Sequence, residues 1–150
     1  MSEPLLETWN IHARINHYFL AEVDPDALWR KPEKGKSVGA HFAHIHSVRM
    51  MWLKSAAPAL LDGLAKVEDG SPKEAILAAL AQSDDATSQM LAVGFETGRI
   101  KGFKPHPTAF AGYLIAHEAH HRGQAELTLR QLGAPLSDKV AFGLWEWGVR

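Results

Sequence analysis

Apolar residues recur every three or four positions along four long segments of the chain, which is the pattern of amphipathic α-helices. The first segment runs from Pro4 to Val23, and its predicted buried stripe is Leu5, Trp9, His12, Asn16, Phe19 and Val23. The second is predicted from about Val38 to Ser55, with Ser37 as the N-cap. Its apolar face is too wide for a surface helix, so this helix is expected to be central.

Two further helices follow a long interruption from Ala56 to Gly70. The run Ser71-Pro72-Lys73-Glu74 predicts a capping box, with the serine as N-cap, and a third helix that continues to about Val93. A fourth helix is predicted from near Thr108 to Leu132, with Gly133 as its C-terminal cap. The tail SDKVAFGLWEWGVR is expected to add a fifth helical turn or two over one end of a four-helix bundle.

Composition narrows the class of protein to one folded domain over residues 1–150. The chain is 46% hydrophobic and 22% charged, and no apolar run reaches the roughly 18 residues that a membrane span needs. With a formal net charge of −1 and no basic block, nucleic acid is not an expected partner. The absence of cysteine and of an export signal fits the cytoplasm, and it leaves only nitrogen and oxygen to bind a metal.

Nine histidines are the unusual part of the composition, and two of them occupy apolar positions of the fourth helix. The stripe there reads Phe110, Leu114, His117, His121, Ala125, Thr128 and Leu132. Residues four apart share a face, so the rings of His117 and His121 can converge on one ion. Neutral imidazole favours zinc, nickel, copper or iron over magnesium and calcium. Taken alone, however, this pair is explained more simply by buried histidines that form hydrogen bonds in the core.

The second helix offers a third histidine on an inward face. His41 and His44 both lie there, and helical periodicity permits either as a further ligand. His46 lies about 200° around the helix from His44 and is interpreted as a solvent-facing or rim residue. Three other histidines are interpreted as hydrogen-bonded or surface residues: His12, which lies on a buried stripe, His17 and His106.

The same residues contain a competing motif, because His117-Glu118-Ala119-His120-His121 matches the HExxH pattern of zinc peptidases. In those enzymes the glutamate activates the water bound to the metal. The extended form of the motif, with a glycine and a third histidine downstream, is absent. Glu118 also precedes Arg122 by four residues, and we interpret the two as an ordinary surface ion pair.

Two segments together make the chain resemble the DinB-like proteins, a family that includes YfiT-like metal-dependent hydrolases and bacterial thiol transferases. The family's connector and second helix resemble LWRKPEKGKSVGAHFAHIHSVRMMWL, and its fourth-helix signature resembles HEAHHRGQAELTLRQLG. Counted from Ser37, the resemblance implies His44 as the ligand of helix two. It implies His117 and His121 as the ligands of helix four. The additional histidine at position 41 departs from the family pattern.

The resemblance also implies a fold and a chemistry. Family members are up-down-down-up four-helix bundles with a long crossover between helices two and three, which matches the interruption after helix two. A site of three neutral histidines leaves positions open for water or substrate, as catalytic metal sites do. The implied cofactors are a divalent transition metal, zinc or nickel first with iron or manganese as alternatives, and a low-molecular-weight thiol.

Three functions stay open at this point. The leading hypothesis is a metal-dependent thiol S-transferase, or a related detoxifying enzyme, that acts on a small electrophile held by aromatic side chains. The candidate side chains are Trp9, Trp52 and Trp145, although each taken singly is more simply explained as core filling. The alternatives are a hydrolase that uses metal-bound hydroxide and a stress-associated metal-binding protein without turnover. The sequence does not determine the catalytic residues, the native metal, the thiol or whether the chain forms a homodimer.

Overall fold

The structure is a computed structural model in which residues 3–150 are described. Four long helices make up most of it, as the apolar periodicity predicts, and no β-strand forms within these residues. The elements are α1 (Glu3–Ala21), α2 (Val38–Ala56), a 3₁₀ turn (Pro58–Leu61), α3 (Lys73–Thr97), α4 (Pro107–Gln131) and α5 (Asp138–Gly143). No helix in this part of the chain is long and apolar enough to cross a membrane.

Contacts near the helix ends give the direction of α2 and α3. Phe19, near the end of α1, packs against Phe42, near the start of α2, with 5.5 Å between the ring centroids. Lys73, at the start of α3, donates hydrogen bonds to the carbonyl oxygens of Ala21 and Val23. Both α2 and α3 therefore run opposite to α1, and the long connection between them crosses the length of the bundle.

The direction of α4 completes the expected up-down-down-up order. His41 of α2 contacts His121 of α4, whereas the later His44 contacts the earlier His117, so α4 runs opposite to α2. α1 and α2 each pack against α3 and α4. The predicted all-α bundle is thus confirmed, and α2 and α4 present their histidines to each other.

Helix α3 departs from its predicted ends. The predicted capping box at Ser71 is wrong, because the helix begins at Lys73 and the Ser71 hydroxyl donates instead to a backbone carbonyl of the preceding turn (2.6 Å). The helix also continues past the predicted end at Val93 to Thr97. It ends there because Gly98 adopts the left-handed conformation (φ 77°) that stops a helix.

The start of α2 is fixed by its cap and by the connector before it. Ser37 caps the helix as predicted, since its Oγ accepts a hydrogen bond from the backbone N–H of Ala40 (3.1 Å). The backbone N–H of Gly39 donates to the carbonyl of Leu28 (2.7 Å), and the Trp29 ring covers the same glycine. These contacts hold the histidine-bearing helix at a defined position along the bundle.

A polar layer divides the core into two apolar halves. One half includes Phe19, Phe42, Ile45, Leu80 and Leu129. The other includes Trp9, Leu53, Met90, Phe110 and Leu114. Between them, each long helix contributes at least one polar side chain that is at most 1% exposed, and these include His12, Arg49, Ser83 and Glu118. The predicted metal ligands of α4 therefore lie beside a layer of buried polar groups.

The C-terminal tail forms the predicted additional turn. α5 places Leu144 in the apolar half that contains Phe19, and Gly143 lies directly against the Tyr18 ring. The guanidinium of Arg150 stacks over the same ring at 3.7 Å from its centroid. The tail therefore covers the end of the bundle at which α1 finishes.

A pair of glycine substitutions tests the packing of the connector on α2. A Cβ atom at Gly39 would lie 2.7 Å from the Trp29 ring, so Gly39→Ala is expected to destabilise the protein by about 1–3 kcal/mol through overpacking. Gly112 of α4 has open space around it, and Gly112→Ala should stabilise the helix by roughly 0.5–1 kcal/mol. Urea unfolding measures both; a stabilised Gly39→Ala protein would mean that Trp29 does not cover this turn.

Candidate metal centre

Three histidines converge between α2 and α4. His44, His117 and His121 each offer a ring nitrogen, and these atoms all lie within 4.8 Å of one another. The Nε2 atoms of His44 and His117 are 3.3 Å apart. Nitrogens that bind one tetrahedral ion at about 2.1 Å are themselves about 3.4 Å apart. The spacing of this pair is therefore that of two ligands on one ion, and the cluster could bind a divalent metal.

The helices explain why these rings meet. The spacing of four residues places His117 and His121 on one face of α4, and the antiparallel α2 brings His44 opposite them. The His44 and His121 ring centroids are 4.5 Å apart, and those of His117 and His121 are 4.7 Å apart. The side chains of His44 and His117 are only partly buried. The cluster therefore stays accessible from outside the bundle.

The surroundings keep these imidazoles neutral, which is the form that binds metal. Burial and then the neighbouring imidazoles, His44 first, lower the pKa of His121 to about 4. Burial also lowers the pKa of His44, with a further contribution from Lys36. The pKa of His117 is lowered by burial as well. At neutral pH the donor set is thus three uncharged nitrogens, which fits a transition metal better than magnesium or calcium.

His41 lies next to the cluster but outside it. Its side chain is 4% exposed, and its Nδ1 is 3.0 Å from Nδ1 of His121. It does not belong to the group of three convergent nitrogens. Of the two histidines that periodicity allowed on α2, the structure therefore places His44, and not His41, opposite both histidines of α4.

The predicted surface pair between Glu118 and Arg122 is wrong. Glu118 is 1% exposed, and its Oε1 accepts hydrogen bonds from Arg49 Nη2 (2.7 Å) and Asn16 Nδ2 (3.0 Å), with His12 Nε2 at 3.1 Å. Its Oε2 accepts from Arg49 Nε (2.8 Å). Arg122 instead donates to Asn16 Oδ1 (2.7 Å). The four-residue spacing allows a surface pair, but the face of α4 that carries Glu118 is covered by α1 and α2.

Arg49 is the main partner of Glu118, and the sequence alone did not predict it. It is fully buried, it binds Glu118 through two nitrogens, and its Nη1 donates to Ser83 Oγ (3.0 Å) and forms an ion pair with Asp84. Arg49 holds the pKa of Glu118 down at about 2 despite burial, which acts in the opposite direction. A signal existed, because Arg49 falls on the buried flank of α2, four residues after Ile45.

In this arrangement Glu118 is not available as the general base that an HExxH peptidase needs. A peptidase glutamate must reach the metal-bound water, and apo geometry can be loose. Here, however, both carboxylate oxygens of Glu118 are bound to neighbours inside the core. The charge on Glu118 is compensated by Arg49, and the carboxylate is directed into the polar layer. The residue therefore orients α4 from behind the cluster.

Other histidines occupy structural positions. The interpretation of His46 as a rim residue is wrong: it is 0% exposed, its Nε2 donates to the carbonyl of Ala65 (2.8 Å), and its Nδ1 lies 3.0 Å from Ser83 Oγ. The crossover segment covers this face of α2, which helical angles alone do not reveal. His17 binds Asp84 at 2.6 Å, and His106 caps α4 through Nδ1.

An aromatic group extends from the end of α2 to the cluster. The Trp52 ring packs edge-on against Phe110 (5.0 Å) and Tyr113 (5.9 Å), with Phe103 next to all three. The Tyr113 ring lies nearly parallel to that of His117, at 19° and 6.5 Å between centroids. Tyr113 is 41% exposed, so it forms an accessible aromatic wall beside the histidines. Its place one turn before His117 was the available sequence signal.

The other two tryptophans lie elsewhere. Trp9 is fully buried, and the guanidinium of Arg49 lies 5.2 Å from its ring centroid, so its role is in the core. Trp145 is 81% exposed on the tail, so it neither fills the core nor joins the aromatic group beside His117. Of the three tryptophans considered from the sequence, only Trp52 belongs to that group.

The fold and the cluster define an all-helical bundle with a three-histidine group able to hold a metal. Comparison with known families agrees: the model of the DinB family matches residues 1–140. The chain therefore belongs to the DinB family. No curated protein matches it.

The first prediction from this site concerns the buried ion pair. Glu118→Gln leaves Arg49 with too little negative charge, and breaking one side of a buried pair costs about 3–5 kcal/mol. The exposed pair of Glu7 and Arg14 (2.8 Å) is the matched control, and Glu7→Gln should cost about 1 kcal/mol or less. The free energy of unfolding in urea measures both losses. Equal small losses would restore the surface-pair interpretation.

The ion pair also makes the free energy of unfolding depend on pH. Because the folded pKa of Glu118 is about 2 and the ordinary value is 4.5, its contribution to stability is complete above the ordinary value. That contribution is lost as the pH falls through 4.5 towards 2. Glu118→Gln should lack this part of the pH dependence, whereas Glu7→Gln should retain it. The same urea experiment at several pH values checks the difference.

The second prediction concerns metal binding itself. Untagged protein should bind about one divalent transition metal per chain, and the double variant His117→Ala/His121→Ala should bind none, as measured by elemental analysis. His44→Ala should weaken binding severely. Because burial lowers the pKa of the ligands, with His121 at about 4, protons should displace the metal only well below the ordinary histidine value of 6.5. Stoichiometric metal in the double variant would contradict this site.

Proposed function

We propose that this DinB-family protein is a metal-dependent enzyme that transfers a low-molecular-weight thiol to small electrophiles in the cytoplasm. The observation that carries the proposal is the composition of the cluster, in which three neutral imidazoles converge without a carboxylate. The adjacent Glu118 is committed to Arg49. The site therefore offers a place to bind and activate a nucleophile, and it does not offer Glu118 as a general base.

Thiol transfer suits this site better than amide hydrolysis does. The thiolate is the reactive form, and a divalent metal held by His44, His117 and His121 would lower the pKa of a thiol that binds to it. A low-molecular-weight thiol is already a weak acid with a pKa of about 8.5. Only a modest lowering of that pKa is therefore needed for the thiolate to form at neutral pH. The histidines supply the binding positions, and the proton goes to solvent.

The aromatic wall supports an apolar or aromatic acceptor. Tyr113 is exposed, lies beside His117 and is supported from behind by Trp52 and Phe103. An electrophilic carbon on a flat substrate would stack there, within reach of sulfur at the cluster. The sulfur then forms a bond to that carbon, and the bond to the leaving group breaks with its electron pair. A chloroarene, for example, would release chloride.

The activity test follows directly. Protein loaded with Zn²⁺ or Ni²⁺ is assayed with a panel of thiols, namely bacillithiol, mycothiol and glutathione, and with 1-chloro-2,4-dinitrobenzene as acceptor. We expect turnover that requires both metal and thiol and that is lost in His117→Ala/His121→Ala. Tyr113→Ala should raise KM for the acceptor, because the stacking surface is removed. Phe142→Ala, an exposed aromatic on α5, is the matched control and should leave KM unchanged.

Two outcomes separate the alternatives. Ester hydrolysis that needs the metal but proceeds equally without thiol would replace the proposal with the hydrolase alternative, in which a metal-bound hydroxide is the nucleophile. Stoichiometric metal binding without turnover on any thiol or ester would favour a non-catalytic metal-binding protein. Abolition of a hydrolytic activity by Glu118→Gln, with metal and folding retained, would restore the HExxH interpretation.

A further inference from the structure

A fourth histidine is positioned behind one ligand of the cluster. His41 lies one turn before His44 on α2 and is 4% exposed. Its Nδ1 is 3.0 Å from Nδ1 of His121, while the two ring planes are inclined at 47° with centroids 5.2 Å apart. The rings therefore meet through their nitrogens and are not stacked. This contact uses one of the two nitrogens of His121.

The contact can be a hydrogen bond only if one of the two nitrogens carries a proton. A neutral imidazole has one N–H and one lone pair, so there are two arrangements. If Nδ1–H of His121 donates to His41, the lone pair of His121 stays on Nε2. If His41 donates instead, the proton of His121 sits on Nε2. Only the first arrangement leaves Nε2 of His121 free to bind a metal.

We propose that His41 is a positioning residue that accepts a hydrogen bond from Nδ1–H of His121 and thereby directs Nε2 of His121 towards His44 and His117. This assignment rests on the proposed metal site. Histidine ligands commonly donate their second ring N–H to a carboxylate or carbonyl, which fixes the tautomer and the ring orientation. In this chain a second imidazole supplies the acceptor.

The environment of the other α4 ligand shows that this support is specific to His121. Nδ1 of His117 is buried and has no hydrogen-bond partner among residues 3–150. His120 also lies near His121, with ring centroids 5.1 Å apart, but it is exposed and forms no hydrogen bond with His121 in the described chain. Replacing His41 is therefore expected to change the tautomer and orientation of the His121 ring.

The first test measures metal affinity. His41→Phe keeps a ring of similar size but removes the acceptor, and we expect it to weaken Co²⁺ binding by about 10–100-fold in a competition titration. His41→Gln keeps an acceptor oxygen and should recover part of the affinity. His120→Phe is the matched control and should bind like the parent. Parent-like affinity in His41→Phe would overturn the proposal.

The second test counts ligands. X-ray absorption of Co²⁺-loaded parent and His41→Phe proteins should show the same number of imidazole ligands, because His41 is not one of them. One imidazole fewer in the variant would overturn the proposal by making His41 a ligand. His44→Ala should lose one imidazole in the same measurement, which verifies that the method detects a single ligand here.

The third test reads the tautomer without any metal or activity. Long-range ¹H–¹⁵N NMR of the metal-free protein should place the proton of His121 on Nδ1, with a through-hydrogen-bond ¹⁵N–¹⁵N coupling to His41 that disappears in His41→Phe. A proton on Nε2 of His121 would overturn the assignment. A parent protein that binds no Co²⁺ would overturn the proposed metal function instead, and this spectrum would still decide the role of His41.

Discussion

The buried ion pair between Arg49 and Glu118 links α2 to α4 through the core of the bundle. Two charges in an apolar core are tolerated only when each is neutralised and its hydrogen bonds are satisfied. Here Arg49 from α2 binds Glu118 from α4 through two nitrogens, and groups from α1 and α3 complete the shell. The pair therefore fixes how far all four helices are shifted along one another.

This constraint sets the geometry of the histidines. Glu118 follows His117 directly, so the orientation that directs the carboxylate to Arg49 turns His117 towards α2, where it meets His44. A slip of α4 by one turn would separate Glu118 from Arg49 and His117 from His44 together. The cost of breaking the buried pair therefore also opposes disassembly of the cluster.

The sequence predicted what depends on periodicity and short-range signals. Apolar stripes predicted the four helices, and Ser37 predicted the start of α2. The HxxxH spacing identified His117 and His121 as candidate metal ligands. The sequence did not predict contacts that depend on which face a neighbouring segment covers. Glu118 had a plausible partner four residues away, but α1 and α2 cover its face, and His46 is buried because the crossover lies over it. Arg49 lies on an otherwise apolar flank of α2, and a charged residue at such a position indicates a buried partner of opposite charge.

We expect one metal to bind at the three histidines while Glu118 stays bound to Arg49. Anomalous diffraction from crystals of untagged, Zn²⁺-loaded protein, recorded on both sides of the zinc absorption edge, locates the ion. One peak per chain is expected, bounded by His44, His117 and His121, with the Glu118 carboxylate still bound to Arg49. A peak at another position, or a Glu118 carboxylate turned towards the ion, would contradict this expectation.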